Sequence, residues 1–272
     1  MTDYSASPGV HIFADTEAGL ARMRRTAGTA GCRTVSAILI GAGPEPALTP
    51  GASLLIELEH EASGDAAIPV LDLAMAEAER GARGAVISAP LALIDLVAAR
   101  AAHSDIEQLC EAGEEERAAA VARAARRREA RLHDSRRERH FSVLQPRADT
   151  AGEVQATRAD AAFIRAMIRS RRLRTHYFDA DLFADPAWDM LLDLMAARLE
   201  GKKVAVSSLC IAAAVPATTA LRWIGVLTDS GLVVRAADPE DRRRVHIELA
   251  EATWRALGAW LHEARSLSPL PA

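Results

Sequence analysis

The sequence is poor in aromatic residues, which make up 4% of its 272 positions, and it has three cysteines, Cys32, Cys110 and Cys210. No two cysteines form a CxxC pair, which excludes a disulfide framework and the common zinc spacings. No apolar run reaches the roughly 18 residues of a membrane-spanning helix, so no membrane partner is expected. The first residues lack a basic stretch followed by an apolar one, so no signal peptide is expected. No internal repeat is visible. Gly41-Ala-Gly-Pro is not a dinucleotide fingerprint, because Pro44 and Pro46 block a helix directly after it. The chain reads as cytoplasmic and reduced, with no cofactor and no metal.

What is present is globular. Half of the residues are hydrophobic and 26% are charged, enough apolar material for packed cores. The length suits one large domain or two ordinary ones. The net charge of −4 argues against a surface that is basic throughout. It is unevenly spread, however: residues 1–112 carry −8, residues 113–159 carry +3 and residues 160–272 carry +1.

The acidic part alternates short β-like runs (Val10–Phe13, Val35–Ile40, Leu54–Leu58, Ala85–Ser88 and Glu107–Cys110) with helical patterns near 17–30, 67–80 and 91–102. Short apolar runs separated by helices predict a parallel sheet covered on both faces, an α/β domain over 1–112. No helix is expected between the second and third runs. Residues 114–140 read as one strong helix, acids first and arginines after. Its apolar side is thin, mainly alanines with Val121 and Leu132. This helix is either the last of the first domain, a connector or a dimer coil, and 113–158 is taken as connector and linker.

Residues 159–272 differ in kind and predict a mainly α domain. Phe163, Ile164, Met167 and Ile168 mark one helix. Trp188, Leu191, Leu192, Met195 and Leu199 mark another, behind the cap pair Asp185-Pro186. A short extended piece at Lys203–Val206 and two short helices broken at Val215-Pro216 come next. Two β-like runs, Leu232–Ala236 and Arg244–Leu249, and a helix marked by Trp254, Leu257 and Leu261 complete the order of a winged helix-turn-helix.

In the first short helix, Ser207 or Ser208 is expected to cap, with Leu209, Ile211 and Ala212 buried, and Ser207 is counted among the expected DNA contacts. The second is expected to bury Leu221, Ile224 and Leu227 or Val226, and to expose Thr218, Thr219, Arg222 and Trp223. A tight turn would hold that helix proud of the surface, where it can reach base edges in a major groove. Threonine hydroxyls suit phosphates or bases, and arginine suits guanine or phosphate. The simpler account is an ordinary αα-hairpin. In the hairpin after it, Asp238-Pro239 starts a polar turn and Arg242, Arg243 and Arg244 lie within reach of Asp238 and Asp241. Ion pairs there would shape the tip while one arginine projects into a minor groove; the simpler account is a solvated charged turn. Arg169-Ser-Arg-Arg-Leu-Arg174, with His176 and Tyr177, reads as a solvated helix end or as a backbone phosphate contact.

Residues from about 160 to 264 resemble the MarR-type winged helix transcriptional regulators, on the wing pattern Asp238-Pro-Glu-Asp241-Arg-Arg243 and the preceding Leu227-Thr-Asp-Ser-Gly-Leu-Val. The resemblance covers under half of the chain. It implies a homodimer paired through terminal helices on double-stranded DNA with a pseudo-palindromic operator, and a wing organised or contacting DNA through Asp241 and Arg243. The helices flanking the winged core look short for that family, so the 114–140 helix and the N-terminal domain are alternative dimerisation elements.

The N-terminal part more faintly resembles a response-regulator receiver domain, a flavodoxin-like fold. The acidic pair after its first strand is reduced to Asp15, Glu57 stands at the phospho-acceptor position, Ser88 ends the fourth strand, and Cys110-Glu111 replaces the lysine. A receiver-like domain without phosphorylation is expected, serving dimerisation or a regulatory protein partner. Catalytic readings fare worse. His60 beside Glu57, Glu59 and Glu61 is split between two faces by strand alternation. The cysteines lack local histidine partners and read as small buried hydrophobes. Trp188, Trp254 and Trp260 fit helix packing. The chain is expected to be a DNA-binding regulator and not an enzyme; the alternative is a protein-interaction module that uses the winged helix for docking.

Overall fold

The computed structural model describes residues 7–42, 48–81, 84–130, 158–241 and 244–267. The chain divides into two compact units. In the first, five strands form one parallel sheet: β1 (Gly9–Ala14), β2 (Arg33–Leu39), β3 (Ser53–Glu57), β4 (Ala85–Ala89) and β5 (Ile106–Cys110). Their order is β2-β1-β3-β4-β5. The helices are α1 (Glu17–Thr29), α2 (Gly64–Glu79), α3 (Ile94–Arg100) and α4 (Glu114–Ala130).

Side-chain alternation in the strands requires cover on both sides. Val10, Ile12, Leu55, Val86 and Leu109 form one core with Leu20, Met23 and Ala27 of α1 and Ala120, Val121 and Ala124 of α4. Leu54, Ile56 and Ile87 point to the opposite face and are equally buried. All positions of β3 and β4 are therefore buried, whereas the edge strand β2 is half-exposed.

The thin alanine side of α4 has a packing reason. A Cβ placed on Gly84 would lie 3.0 Å from the Ala124 carbonyl oxygen, so the helix runs close against the start of β4. Arg123 of α4 pairs with the buried Glu107 of β5. The described part of the 114–140 helix is thus built into the first unit; Leu132 lies outside the described residues.

Among the described residues no helix joins β2 to β3. The β2–β3 loop instead reaches His11, which is 1% exposed. The Thr49 N–H donates to His11 Nε2 at 2.9 Å, and Nδ1 lies 2.7 Å from Ser36 Oγ. With Nε2 accepting, the neutral ring carries its proton on Nδ1 and donates to the serine.

The second unit contains α5 (Arg158–Leu173), α6 (Pro186–Leu199), β6 (Val204–Ala205), α7 (Val206–Ala212), α8 (Ala217–Asp229), β7 (Val233–Ala237), β8 (Val245–Leu249) and α9 (Glu251–Leu267). Its antiparallel sheet has the order β6-β8-β7. Asp185 caps α6 by accepting from the Trp188 N–H, with Pro186 in the first turn, where its missing donor costs little. Ile164, Ile168, Met190, Met195, Leu209, Ile224, Leu257 and Leu261 are buried. Trp188 meets Trp260 edge to face at 4.7 Å, and Arg198 lies over Trp254. No single helix among the described residues is long and apolar enough to cross a membrane.

Candidate nucleic-acid interface

The short β6 strand sets where α7 begins. Val204 and Ala205 pair with Ile247 and His246 of β8, which keeps the backbone extended up to Ala205. Helix α7 therefore starts at Val206 with Ala205 at the cap position and no side-chain cap bond. This corrects the expectation for Ser207 and Ser208, which fall inside the first turn. The helix buries Val206, Leu209, Cys210 and, as expected, Ala212, with Ala213 buried just beyond its end. Ile211, expected in the core, is instead 66% exposed.

Helices α7 and α8 meet at 109° across the turn Ala213–Pro216. Ala214 turns the chain with a φ of +54°. Pro216 stands at the cap of α8, where it has no donor to lose. Helix α8 buries Thr218, Ala220, Leu221, Ile224 and Leu227. Thr218 was expected outside and is 2% exposed, because it lies three residues before Leu221 on the buried stripe. It is removed from the candidate surface. Of the alternatives Leu227 and Val226, Leu227 is buried and Val226 is on the outside. The outward side of α8 keeps exposed Arg222 and half-buried Thr219 and Trp223.

The hairpin follows with Ala237 opposite Val245, one residue along from the expected strand starts. In its turn the Arg244 N–H donates to the Asp241 carbonyl at 2.9 Å, and the two side chains lie 3.6 Å apart. Asp238 instead stands 3.5 Å from Nε2 of His246, a largely buried residue of β8. The sequence reading missed His246; its signal was that β8 folds back beside the start of the turn. Arg242 and Arg243 lie outside the described residues.

Several members of the basic cluster at the end of α5 have partners within the chain, while Arg169, Arg172 and His176 are exposed. Arg171 bonds Asp189 at 2.8 Å and approaches Asp185 at 3.6 Å. Arg172 donates to the Ala212 carbonyl at 3.1 Å, placing a cation at the C-terminal end of α7. Arg174 stacks over Phe183 at 5.0 Å. The α5–α6 connection also exposes Leu173, Tyr177, Phe178, Leu182 and Phe183, beside the exposed Arg172, Thr175, His176 and Asp179.

In the first unit, the receiver-like positions form a closed ionic cluster at the carboxyl ends of β1 and β3. Both oxygens of Asp15 accept from the Glu59 N–H at 3.0 Å, and one accepts from the His60 N–H at 2.9 Å. Arg22 of α1 bonds Glu57 at 2.8 Å and Glu59 at 2.5 Å. Thr16 caps α1 and donates to Glu59. That hydroxyl first, and then Arg22, hold the Glu59 carboxyl below its usual range. Glu57 is 2% exposed, and among the described residues its Oε2 has no hydrogen-bond partner. Ser88 is buried beside it on β4. A cation from the chain itself thus occupies the acidic edge of the sheet.

Among the described residues no three His, Cys, Asp or Glu side chains converge as a metal ion requires. All three cysteines are buried and none is joined in a disulfide. Burial raises the Cys32 thiol and pushes Cys110 to about 11, which leaves both poor nucleophiles at neutral pH. No family model, curated protein or solved structure matches the chain.

Proposed function

We propose that the second unit is a winged helix-turn-helix of the MarR type that binds double-stranded DNA sequence-specifically, as a homodimer in the cytoplasm. The observation that carries this reading is the α7–α8 pair: two helices meeting at 109° across a four-residue turn. That angle lies within the range for helix-turn-helix pairs, roughly 90–120°. The pair presents Arg222 outward and is followed by a hairpin with an arginine-bearing turn. The sequence resemblance supports the same reading. The first unit is proposed as a flavodoxin-like, receiver-like domain that serves regulation or dimerisation without accepting a phosphoryl group, since Arg22 already neutralises Glu57 and Glu59. The exposed apolar side chains of the α5–α6 connection offer a pairing surface.

The test is binding of the full chain to a random-sequence duplex library, followed by anisotropy on the selected duplexes at several salt concentrations. A falling log-affinity against log-salt is expected. Arg222→Ala is expected to cost about 1–3 kcal/mol on a selected duplex and to relax selection at one position. Binding that survives Arg222→Ala combined with Arg243→Ala refutes the assignment.

A second reading has its own observation. Ile211, Val226 and Val234 are exposed, and Arg222 is the one cation of α8, which suits a protein docking face. Absence of binding to any duplex at low salt favours that reading.

A further inference from the structure

The outward face of α8 also restricts which bases it fits. Thr219, Arg222 and Val226 follow one another at i, i+3 and i+7 on one side of the helix, with half-buried Trp223 beside them. Their neighbours on the other side, Thr218, Leu221 and Ile224, are buried and out of reach. The reading side therefore carries one guanidinium, one hydroxyl, several methyl groups and, beside them, the Trp223 indole, which can only donate. It has no amide, the group that pairs with adenine in two hydrogen bonds, and the one carboxylate of α8, Asp229, stands in its last turn. A guanidinium matches the O6 and N7 acceptors of guanine, while the Thr219 and Val226 methyls match the C5-methyl of thymine.

We infer that the α8 face recognises thymine methyl groups flanking a single guanine in the major groove. The inference rests on the DNA-binding reading and deepens it. Along the helix, Arg222 lies about 4.5 Å beyond Thr219 and Val226 about 10 Å beyond it, at about 1.5 Å per residue. Base pairs repeat at about 3.4 Å. With α8 lying along the groove, the guanine falls about one base pair from the thymine read by Thr219, and the thymine read by Val226 about two pairs beyond the guanine. Thr219 is the residue to probe, because serine at that position keeps the hydroxyl and removes only the methyl.

The experiment pairs one methyl on the protein with one on the DNA. Duplexes selected by the full chain from a random library are remade with each thymine in turn replaced by deoxyuridine, which lacks the C5-methyl. Affinities are measured by anisotropy for the unchanged chain and for Thr219→Ser. Losing one buried methyl is expected to weaken binding about fourfold. At one position the thymine-to-uracil change and Thr219→Ser each produce that loss, and together they produce no more than either alone. Arg222→Ala removes the preference for guanine at the neighbouring pair while leaving the uracil effect in place.

Selected duplexes that bind equally well with uracil at every position overturn the inference and leave DNA binding intact. So do Thr219→Ser and uracil losses that multiply at every position. If no duplex is retained at low salt, the DNA-binding reading falls and this inference falls with it. Circular dichroism of both variants confirms that any loss reflects the contact and not unfolding.

Discussion

Arg22 carries the sharpest energetic expectation in the molecule. Its side chain is one-third exposed, whereas the Glu57 side chain it holds at 2.8 Å is 3% exposed and has a second oxygen with no partner among the described residues. Replacing Arg22 with methionine keeps the aliphatic packing of α1 and strips Glu57 and Glu59 of their shared cation. A unit charge pair at about 4 Å interacts by about 4 kcal/mol at an effective dielectric of 20. Removing one member of a buried pair costs about 3–5 kcal/mol. The partial exposure of Arg22 moves the expectation to the lower end, about 3 kcal/mol. Glu57→Gln in the Arg22→Met background should restore at least half of that, because it removes the stranded charge while keeping the shape. Urea unfolding followed by far-ultraviolet circular dichroism measures the loss. The four tryptophans, at positions 188, 223, 254 and 260, all belong to the second unit, so their fluorescence follows that unit separately. A loss below about 1 kcal/mol, or a double variant no better than Arg22→Met alone, refutes the view that the Arg22–Glu57 pair stabilises the first unit.

Two further outcomes follow from local geometry in the second unit. Ala214 holds a left-handed φ of +54° and is exposed, so Ala214→Gly relieves a backbone penalty of about 1 kcal/mol and removes no buried contact. After the entropy gained by the unfolded chain, a net stabilisation of about 0.5 kcal/mol is expected, seen as a higher melting temperature; a lower one contradicts the assigned turn. The Glu200 carboxyl is held at about 2, first by its hydrogen bond from Arg165 and then by Lys202. A folded value below the unfolded one means that this stabilisation is full above about pH 4.5 and is lost as the pH falls toward 2. Glu200→Gln should therefore be less stable at pH 6, by about 1 kcal/mol after solvent screening. The difference should vanish by about pH 2 in thermal unfolding followed by tryptophan fluorescence.

Much of this fold is legible locally. The five apolar runs of the first unit fall on its five strands, and the gap where no helix was expected between the second and third runs holds none among the described residues. Asp185-Pro186 caps α6 as its side-chain chemistry requires. The candidate surface was harder to read at the level of single side chains. A helix of seven residues such as α7 has too few turns for periodicity to fix its buried stripe, so Ile211 was assigned to the wrong side. Where α7 starts depends on β6 pairing with β8, some 40 residues further along, and that pairing displaced the expected serine cap. Thr218 and Thr219 are chemically identical neighbours. Only the packing of α8 decides that one is buried and the other stands at the surface.

The sequence by itself determined the element types, the division into an acidic α/β part and a helical part, and the burial of the cysteines, because propensity, period and composition are properties of neighbouring residues. The tertiary structure alone decided which charges meet. Arg22 reaches Glu57 across 35 positions, Arg172 reaches the Ala212 carbonyl across 40, and His11 is held between Ser36 and Thr49. Such contacts depend on how strands order in a sheet and how helices cross, and no local pattern encodes them. The directions in which Thr219, Arg222 and Val226 face were fixed only when α8 packed.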